Sequence, residues 1–141
     1  MLVLDTNVIS EMLRPVPDAA VSAWLDAQPA AGVFTTAITQ TEIKYGIALL
    51  PKGQRRAAFL TAATLVFESD FDGRVLPFDP DAAEVYAHIA ATRRLAGKPI
   101  SFADAQIAAI TLSRGGRLAT RNVRDFAECG LDIVNPWEAT K

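Results

Sequence analysis

The fold class is decided by the stretch LVLDTNVIS at residues 2–10. Its first three residues are an apolar run without alternation, which is typical of a central strand in a parallel sheet whose two faces are both covered. Helical spacing begins at Val8. Asp5 therefore lies where a strand gives way to a helix, at the edge of the sheet where open α/β proteins bind ligands. A purely capping role of Asp5 or Thr6 is the alternative.

Short β-prone runs recur along the chain and alternate with helical patterns. They lie at residues 33–35, 74–78, 117–120 and 132–134. Strands that alternate with helices predict a parallel sheet with right-handed crossovers. The sequence thus predicts an α/β fold in one domain over residues 1–141. We expect a three-layer α/β/α sandwich around a central parallel sheet of about five short strands.

Composition narrows the class of protein. Half of the 141 residues are apolar, which is enough to bury a core of ordinary size. No run approaches the ~18 apolar residues of a membrane span, and the N-terminus lacks the layout of a signal peptide. We therefore expect a cytoplasmic protein with no membrane partner. Cys129 is the only cysteine and His88 the only histidine, which excludes an internal disulfide and a multi-cysteine zinc site.

Four strand-to-helix or loop-to-helix junctions carry the same polar signature. They are Asp5, Thr39 with Glu42, Ser101 with Asp104, and Asn122 with Asp125. The last three have the spacing of a capping box, in which each side chain satisfies an orphan amide of the helix. Capping explains each junction separately, at about 1 kcal/mol per cap. It does not explain why carboxylates should recur at one edge of the sheet.

Convergence of these carboxylates would give them a second role. In a parallel sheet the strand-to-helix turns share one edge, so Asp5, Glu42 and Asp104 can meet in one cleft. Three carboxylates so close together repel, and they cannot all stay ionised without a cation. Oxygen ligands without histidine or thiolate suit Mg²⁺, with Mn²⁺ as the other candidate. Such an ion activates a water and neutralises a phosphate, as phosphodiester hydrolysis requires.

The motifs together resemble those of the PIN-domain ribonucleases of the VapC and FitB type. The resemblance rests on Asp5-Thr6-Asn7, on Glu42 in TQTEI, on Asp104 in SFADA, on TRNVRDF at residues 120–126 and on the closing Asn135-Pro136-Trp137. It implies Mg²⁺-dependent cleavage of RNA by the toxin of a toxin–antitoxin pair. It also implies a homodimer, and neutralisation by a small antitoxin that itself binds operator DNA.

The resemblance also assigns roles to residues. It implies a catalytic set of Asp5, Glu42, Asp104 and Asn122, in which Asp5 and Asp104 bind the metal directly. Glu42 is either a ligand through water or the group that orients the attacking water. Thr6, Thr120 and Asp125 are candidates for supporting roles. Asn122 stands where the fuller pattern has a fourth aspartate, so we expect one tightly held ion and a weaker second site.

Basic residues cluster around Asp104 although the net charge is −2, which alone argues mildly against a nucleic-acid partner. Asp104 is the only acid between residues 93 and 124, a window with seven basic residues. Six of them are candidates for lining the approach of RNA to the acidic cleft, namely Arg93, Arg94, Lys98, Arg114, Arg121 and Arg124. Solvated helix faces are the alternative interpretation.

Two other functions remain open from the sequence. A phosphatase-like or phosphoacceptor domain also begins with an aspartate after the first strand, but Asn7 stands where the phosphatase motif Asp-x-Asp has a second acid. A catalytically degenerate module that only binds an antitoxin would not need Asp5, Glu42 and Asp104 together. An apolar surface is predicted to hold the antitoxin, drawn from Met12, Leu13, Val21, Trp24, Leu25, Ile47, Leu49 and Leu50.

Overall fold

A computed structural model of the chain describes residues 1–139. Its centre is a five-stranded sheet of order β3-β2-β1-β4-β5 in which every neighbouring pair is parallel. The strands are β1 (Leu2–Leu4), β2 (Val33–Thr36), β3 (Val75–Leu76), β4 (Arg117–Ala119) and β5 (Asp132–Val134). Strand order reverses between β1 and β4, which places a topological switch point beside the end of β1. The predicted fold class is confirmed.

Six α-helices connect the strands. They are α1 (Thr6–Met12), α2 (Ala19–Asp26), α3 (Ala37–Ala48), α4 (Gln54–Leu65), α5 (Pro80–Leu95) and α6 (Phe102–Ser113). Shorter turns occupy Ala30–Gly32, Val66–Asp70 and Val123–Phe126. In the part of the chain that the structure describes, no helix combines the length and the apolar character that crossing a membrane would take.

Two apolar layers cover the two faces of the sheet. Leu2 and Leu4 of β1 pack into the layer formed with α1, α3 and α4, whereas Val3 packs into the layer of α5 and α6. Successive side chains of a strand point to opposite faces of the sheet, and here both faces are covered. All three residues of β1 are therefore buried, which explains why apolar and polar residues do not alternate in this strand. This arrangement fixes β1, and with it Asp5, in the middle of the molecule.

Much of the predicted antitoxin surface belongs to the core instead. Val21 and Ile47 are buried. Met12, Leu13, Trp24 and Leu25 pack partly buried against the layer of α1, α3 and α4. Of that predicted set Leu49 is the most exposed, at 67 %. The prediction underestimated the apolar area that this face of the sheet needs, because α2 folds back onto it.

Two of the predicted helix caps are wrong. The cap of α3 is Thr36, whose hydroxyl accepts from the amide of Thr39, so the cap lies three residues earlier than predicted. Asn122 makes no side-chain cap to the turn Val123–Phe126. Its own amide donates to the hydroxyl of Thr120 at 3.0 Å, which leaves no cap for Asp125 to make there. The caps at Asp5 and Ser101 are confirmed.

Candidate active site

A cavity of about 510 Å³ opens at the carboxyl edge of the sheet, where β1 and β4 end side by side. It is lined by Asp5, Thr6, Asn7, Ser10, Glu11, Arg14, Glu42, Asp104, Arg121, Asn122 and Trp137. The four residues of the predicted catalytic set are among them. Leu4 pairs with Ala119 in the sheet, so the next residue of each strand, Asp5 and Thr120, meet directly above that pair.

The carboxylate of Asp5 is held by hydrogen bonds on both oxygens. Oδ1 accepts from the amide of Thr6 at 2.8 Å, and Oδ2 accepts from the hydroxyl of Thr120 at 2.7 Å and from the side-chain amide of Asn7 at 3.1 Å. Asp5 is only 3 % exposed. The orientation of this carboxylate is therefore fixed before any ligand arrives, while its remaining lone pairs are free to bind one.

Asn7 ties the end of β1 to the loop that follows β4. Its side-chain nitrogen donates to Asp5 and to the hydroxyl of Thr120, and its side-chain oxygen accepts from the backbone amide of Arg121 at 3.1 Å. Thr120 in turn accepts from the amide of Asn122. Both side chains have their hydrogen bonds satisfied by this network, so it holds the loop of Arg121 and Asn122 beside Asp5.

A row of threonine hydroxyls fixes Glu42. Thr6 donates to Oε1 of Glu42 at 2.7 Å and lies 3.1 Å from the hydroxyl of Thr39. The hydroxyl of Thr36 donates to that of Thr39 at 3.4 Å. Each hydroxyl has one proton to donate. Thr6 uses its proton for Glu42, so the hydroxyl of Thr39 donates to that of Thr6. Within residues 1–139 Oε2 of Glu42 accepts no hydrogen bond, and Glu42 lines the cavity.

Asp104 enters the cavity from the first turn of α6. Its amide donates to the hydroxyl of Ser101, the residue that caps this helix, at 3.1 Å. Burial raises the pKa of Asp104 above its ordinary range, and the charges of Asp125 and Glu42 raise it further, while Arg93 acts in the opposite direction. Asp125 is thus an electrostatic neighbour of Asp104, although it does not line the cavity.

Burial is also the main reason that the pKa of Asp5 rises from its ordinary 3.8 to about 6. The hydrogen bonds from Thr120 and Thr6 oppose this rise, and the charges of Asp104 and Glu42 add to it. The charges of Asp104 and Glu42 are thus smaller causes of the rise in the pKa of Asp5 than burial is. A bound cation would oppose this rise and would favour the ionised form of Asp5.

The donor set of the cavity fits a hard divalent cation. Within residues 1–139, no three histidine, cysteine, aspartate or glutamate side chains are placed to enclose a metal ion. Mg²⁺ usually binds through one or two carboxylates and keeps several waters, so Asp5 and Asp104 alone match its needs. Zn²⁺ most often binds histidine nitrogen or cysteine sulfur, and neither residue type lines this cavity.

The basic residues that were predicted to contact RNA lie in different parts of the structure. Arg121 lines the cavity that contains Asp5, and its guanidinium lies over the ring of Trp137, 5.0 Å from the ring centroid. Lys98 and Arg124 line a neighbouring cavity instead. Arg94 is exposed and lines neither of these two cavities.

Two of the predicted residues, Arg93 and Arg114, lie away from the cavity that contains Asp5. Arg93 is only 7 % exposed and donates to backbone carbonyls, because the end of α5 packs under the loop after β4. Arg114 pairs with Asp79 at 3.2 Å. It follows the last residue of α6, so roughly 15 Å of helix separates it from Asp104.

Five residues of the cavity had no predicted role of their own, namely Asn7, Ser10, Glu11, Arg14 and Trp137. Asn7 and Trp137 lie within motifs that were noted, but their contacts across the fold were not apparent from sequence. Glu11 is buried and accepts from Arg14 at 3.2 Å and from the amide of Asp18 at 2.8 Å. The spacing of Glu11 and Arg14 is an ordinary helical pair, so the sequence carried no signal that they border the site.

Comparisons with known proteins place the chain in a family. The model of the PIN domain matches residues 2–130. The chain belongs to the PIN-domain family.

Two curated relatives align along nearly the whole chain. VapC ribonuclease Y4jK of Sinorhizobium fredii is 46% identical over 98% of this chain and 99% of its own length. Toxin FitB of Neisseria gonorrhoeae is 39% identical over 97% of this chain and 99% of its own.

Solved structures show the same fold in assemblies. FitAB bound to an IR36 DNA fragment superposes with a TM-score of 0.86, at 39% identity over 97% of this chain and 96% of that one. VapBC-5 of Mycobacterium tuberculosis, from a family of toxin-antitoxin systems, has a TM-score of 0.70, at 26% identity over 94% of this chain and 96% of that one.

Proposed function

We propose that this chain is a Mg²⁺-dependent endoribonuclease and the toxin of a type II toxin–antitoxin pair. The observation that carries the proposal is that Asp5, Glu42 and Asp104 line one cavity of a PIN domain. Relatives named as a VapC ribonuclease and a FitB toxin, aligned over nearly the full chain, support the same activity.

The proposed roles follow from how each side chain is held. Asp5 and Asp104 would hold the ion, Mg²⁺ or Mn²⁺, which lowers the pKa of a bound water and neutralises charge on the phosphate. Glu42 is fixed through Oε1 by Thr6, which leaves Oε2 to orient the attacking water and accept its proton. The bond from the water oxygen to phosphorus forms as the bond to the departing ribose oxygen breaks, and that oxygen takes up a proton.

Supporting roles belong to residues that position these groups. Thr120 and Asn7 orient Asp5, and Thr6 orients Glu42. Arg121 is the basic residue of the predicted set that reaches the cavity, where it can contact a phosphate oxygen. Asn122 lines the cavity and can offer a neutral oxygen to an ion or a water.

A phosphoacceptor function receives less support from the relatives. The relatives that align over nearly the full chain are named as a ribonuclease and a toxin, and neither name indicates a phosphoacceptor. The degenerate binding module differs from the proposal only in activity, so the experiment below separates them.

A nuclease assay on mixed single-stranded RNA tests the proposal. We expect cleavage with Mg²⁺, none with EDTA, and a loss of at least a hundredfold in Asp104→Asn, since removing a charge-stabilising group costs about that much. Glu84→Gln is the matched control, because Glu84 is an exposed carboxylate on α5 outside the cavity. Full activity of Asp104→Asn in Mg²⁺ would refute the assignment, and inactivity of the parent on every RNA would favour the binding module.

An antitoxin segment has a place to bind beside the catalytic cavity. An apolar groove of about 300 Å³ between α1, α3 and α4 is lined by Leu13, Ile43, Ile47, Leu50 and Phe59, among others. Thr6, Ser10 and Glu42 line both this groove and the catalytic cavity. A segment in the groove would therefore reach the catalytic carboxylates. The FitAB complex on DNA supports contact of such a pair with operator DNA, which we assign to the antitoxin.

The chain is also proposed to act in the cytoplasm as a homodimer. Large apolar side chains remain exposed on its surface, among them Leu95 at 88% and Phe102 at 67%. Sedimentation of the purified chain as a monomer at micromolar concentration would refute the dimer.

Co-purification with the product of a neighbouring small gene is the expected result for the antitoxin. Loss of that complex in Leu50→Glu would show that the antitoxin binds in the groove.

A further inference from the structure

A second cavity, of about 470 Å³, lies beside the turn Val123–Phe126. It is lined by Arg93, Lys98, Arg124, Asp125, Ala127 and Glu128. Asn122 lines the catalytic cavity, and the amide of Asp125 donates to the carbonyl of Asn122 at 3.0 Å. The two cavities are therefore separated by a single turn of the chain.

Arg93 is a buried cation whose known partners are neutral. Its Nε donates to the carbonyl of Lys98 at 2.7 Å, and its Nη1 donates to the carbonyls of Asp125 at 3.0 Å and Ala127 at 2.9 Å. Among the ion pairs formed within residues 1–139, none includes Arg93. The charge of Asp104 acts on Arg93 only from beyond ion-pair distance. Burial of a charge is costly without a directly paired counter-charge, so an adjacent anion would stabilise this arrangement.

The second terminal nitrogen of Arg93 is available to such an anion. In the described part of the chain Nη2 makes no hydrogen bond. Yet no fully buried side-chain nitrogen or oxygen there lacks a partner. Nη2 therefore keeps access to solvent, and Arg93 lines the second cavity. Nη1 of the guanidinium is therefore held by backbone carbonyls, whereas Nη2 is accessible to a ligand.

The other charges around this cavity leave it positive. Arg124 forms no ion pair within residues 1–139, whereas Lys98 pairs with Glu128 at 3.2 Å. Both partners of that pair are more than half exposed, so it is weak and easily exchanged. Three basic side chains thus face two acidic ones. A guanidinium with a fixed orientation is well suited to bind the oxygens of a phosphate.

We propose that this second cavity is a phosphate subsite that binds a backbone phosphate of single-stranded RNA next to the one in the catalytic cavity. The inference rests on the proposed ribonuclease function. Arg93 Nη2 and the guanidinium of Arg124 are its donors. The strand crosses the turn Val123–Phe126, so that the scissile phosphate lies against Asp5 and Asp104. Contacts of this kind set the register of the strand without reading its sequence.

A purely structural role of Arg93 explains only part of these observations. Its three carbonyl contacts fasten the end of α5 to the loop after β4. They do not account for the open Nη2, for the neighbouring Arg124, or for the cavity between them. The test therefore centres on Arg124, which is exposed and can be changed without disturbing the carbonyl contacts.

The experiment measures binding of an uncleavable 2′-O-methyl single-stranded RNA by fluorescence anisotropy, in EDTA, over a series of salt concentrations. We expect Arg124→Gln to weaken binding roughly three- to tenfold at low salt and to reduce the slope of log K against log salt by about 0.7, the value for one phosphate contact on a single strand. Arg114→Gln is the control, because Arg114 is equally basic, pairs with Asp79 and lies at the far end of α6. It should bind as the parent does.

Single methylphosphonate linkages then locate the contact. Scanned along the RNA, one such linkage should weaken binding to the parent but have no further effect on Arg124→Gln. Strictly additive effects at every linkage would overturn the subsite, as would equal binding by Arg124→Gln and Arg114→Gln. Titration with inorganic phosphate separates the sources, since saturation by the free ion without any methylphosphonate effect would make this an ion site and not part of an RNA path.

Failure of the subsite can be distinguished from failure of the proposed ribonuclease function. A parent protein that cleaves RNA in Mg²⁺ while Arg124→Gln and Arg114→Gln bind alike would refute the subsite and leave the nuclease intact. A parent that neither binds nor cleaves RNA would refute both.

Discussion

The hydroxyl of Thr120 donates a 2.7 Å hydrogen bond to Oδ2 of Asp5, across 115 positions of sequence. The two residues follow neighbouring strands β4 and β1, so this bond fixes the carboxylate of Asp5, a proposed metal ligand, to the sheet edge. Removing the donor leaves one oxygen of a buried carboxylate with fewer partners, which costs about 1–3 kcal/mol for the ionised form.

Thr120→Val should therefore raise the pKa of Asp5 further and weaken Mg²⁺ binding. We expect activity at pH 7 to fall roughly tenfold, since 1.4 kcal/mol corresponds to that factor, and to recover in part at higher pH. Thr120→Ser retains the hydroxyl and should stay within a few fold of the parent. The pH profile of cleavage is the measurement, and an unchanged profile in Thr120→Val would contradict the role of this bond.

The raised pKa of Asp5 predicts how stability depends on pH in the metal-free protein. Because the pKa is about 6 in the folded state and 3.8 is its ordinary value, the folded protein binds more protons than the unfolded chain between these limits. The free energy of unfolding contributed by Asp5 should thus fall as pH rises, by about 1 kcal/mol from pH 5 to pH 7. Below pH 4 this contribution is fully present.

Other groups titrate in the same range, so the test is a difference. Urea unfolding in EDTA at pH 5 and pH 7 should show this loss in the parent but not in Asp5→Asn. Saturating Mg²⁺ should remove most of the loss at pH 7, because the ion binds the ionised form. An equal pH dependence of the parent and Asp5→Asn would show that the carboxyl group does not titrate there.

Local patterns sufficed to predict the strands and the acidic edge of the sheet. The apolar run before Asp5 and the polar residue that ends it lie next to each other in the sequence. Both can therefore be recognised without knowledge of the tertiary fold. The same is true of the cap at Ser101, whose hydroxyl contacts an amide only three positions away. The sequence did not predict that β1 and β4 are neighbours, and this pairing is what brings Asp5 and Thr120 together.

Contacts that depend on tertiary packing could not be predicted. Thr36 and Thr39 are both small, polar and near the start of α3, and only the exact end of β2 decides which one caps the helix. In the sequence, nothing distinguished Arg93 from the other basic residues of its window. In the structure α5 directs its side chain towards the loop after β4, where it donates to backbone carbonyls. Sequence spacing does not contain the direction in which one helix faces another element.

The removal of one catalytic charge should affect stability and activity in opposite ways. Asp104 is half-buried, and the charges of Asp125 and Glu42 act against its ionisation. Asp104→Asn removes this repulsion, so the metal-free variant should be at least as stable as the parent at pH 7.5 although it is inactive. Thermal unfolding with and without Mg²⁺ is the measurement. Mg²⁺ should stabilise the parent and leave the variant nearly unchanged.

Trp137 is predicted to keep Arg121 away from the catalytic carboxylates. The guanidinium lies over the indole ring, a contact worth about 0.5–1 kcal/mol at an exposed site. In Trp137→Ala, Arg121 loses this contact and competes with the ion for Asp5 and Asp104. Affinity for Mn²⁺ should then fall two- to fivefold, while Trp137→Phe should resemble the parent.

A double variant distinguishes this competition from simple loss of packing. Trp137 also packs against the apolar layer of α1, α3 and α4, so Trp137→Ala alone will lower stability. Arg121→Ala added to Trp137→Ala should restore Mn²⁺ affinity without restoring stability. Continued weak binding in the double variant would show that the metal site was damaged by misfolding, and the competition would be ruled out.

Asn122 is predicted to limit the number of metal ions in the cavity. The side chain lines the cavity and makes no cap, so its role is not needed for the turn that follows. Its backbone amide is held by Thr120, which fixes the position of the residue whatever its side chain. A neutral amide offers one oxygen to an ion but no charge, so a second cation has only the substrate phosphate to compensate it.

Asn122→Asp should therefore add a second Mn²⁺ site in calorimetric titration while activity in Mg²⁺ stays within a few fold of the parent. Asn122→Ala should remain folded and retain measurable cleavage. Two equal, tight sites in the unaltered protein would contradict this account, and so would a loss of activity in folded Asn122→Ala as complete as that in Asp5→Ala.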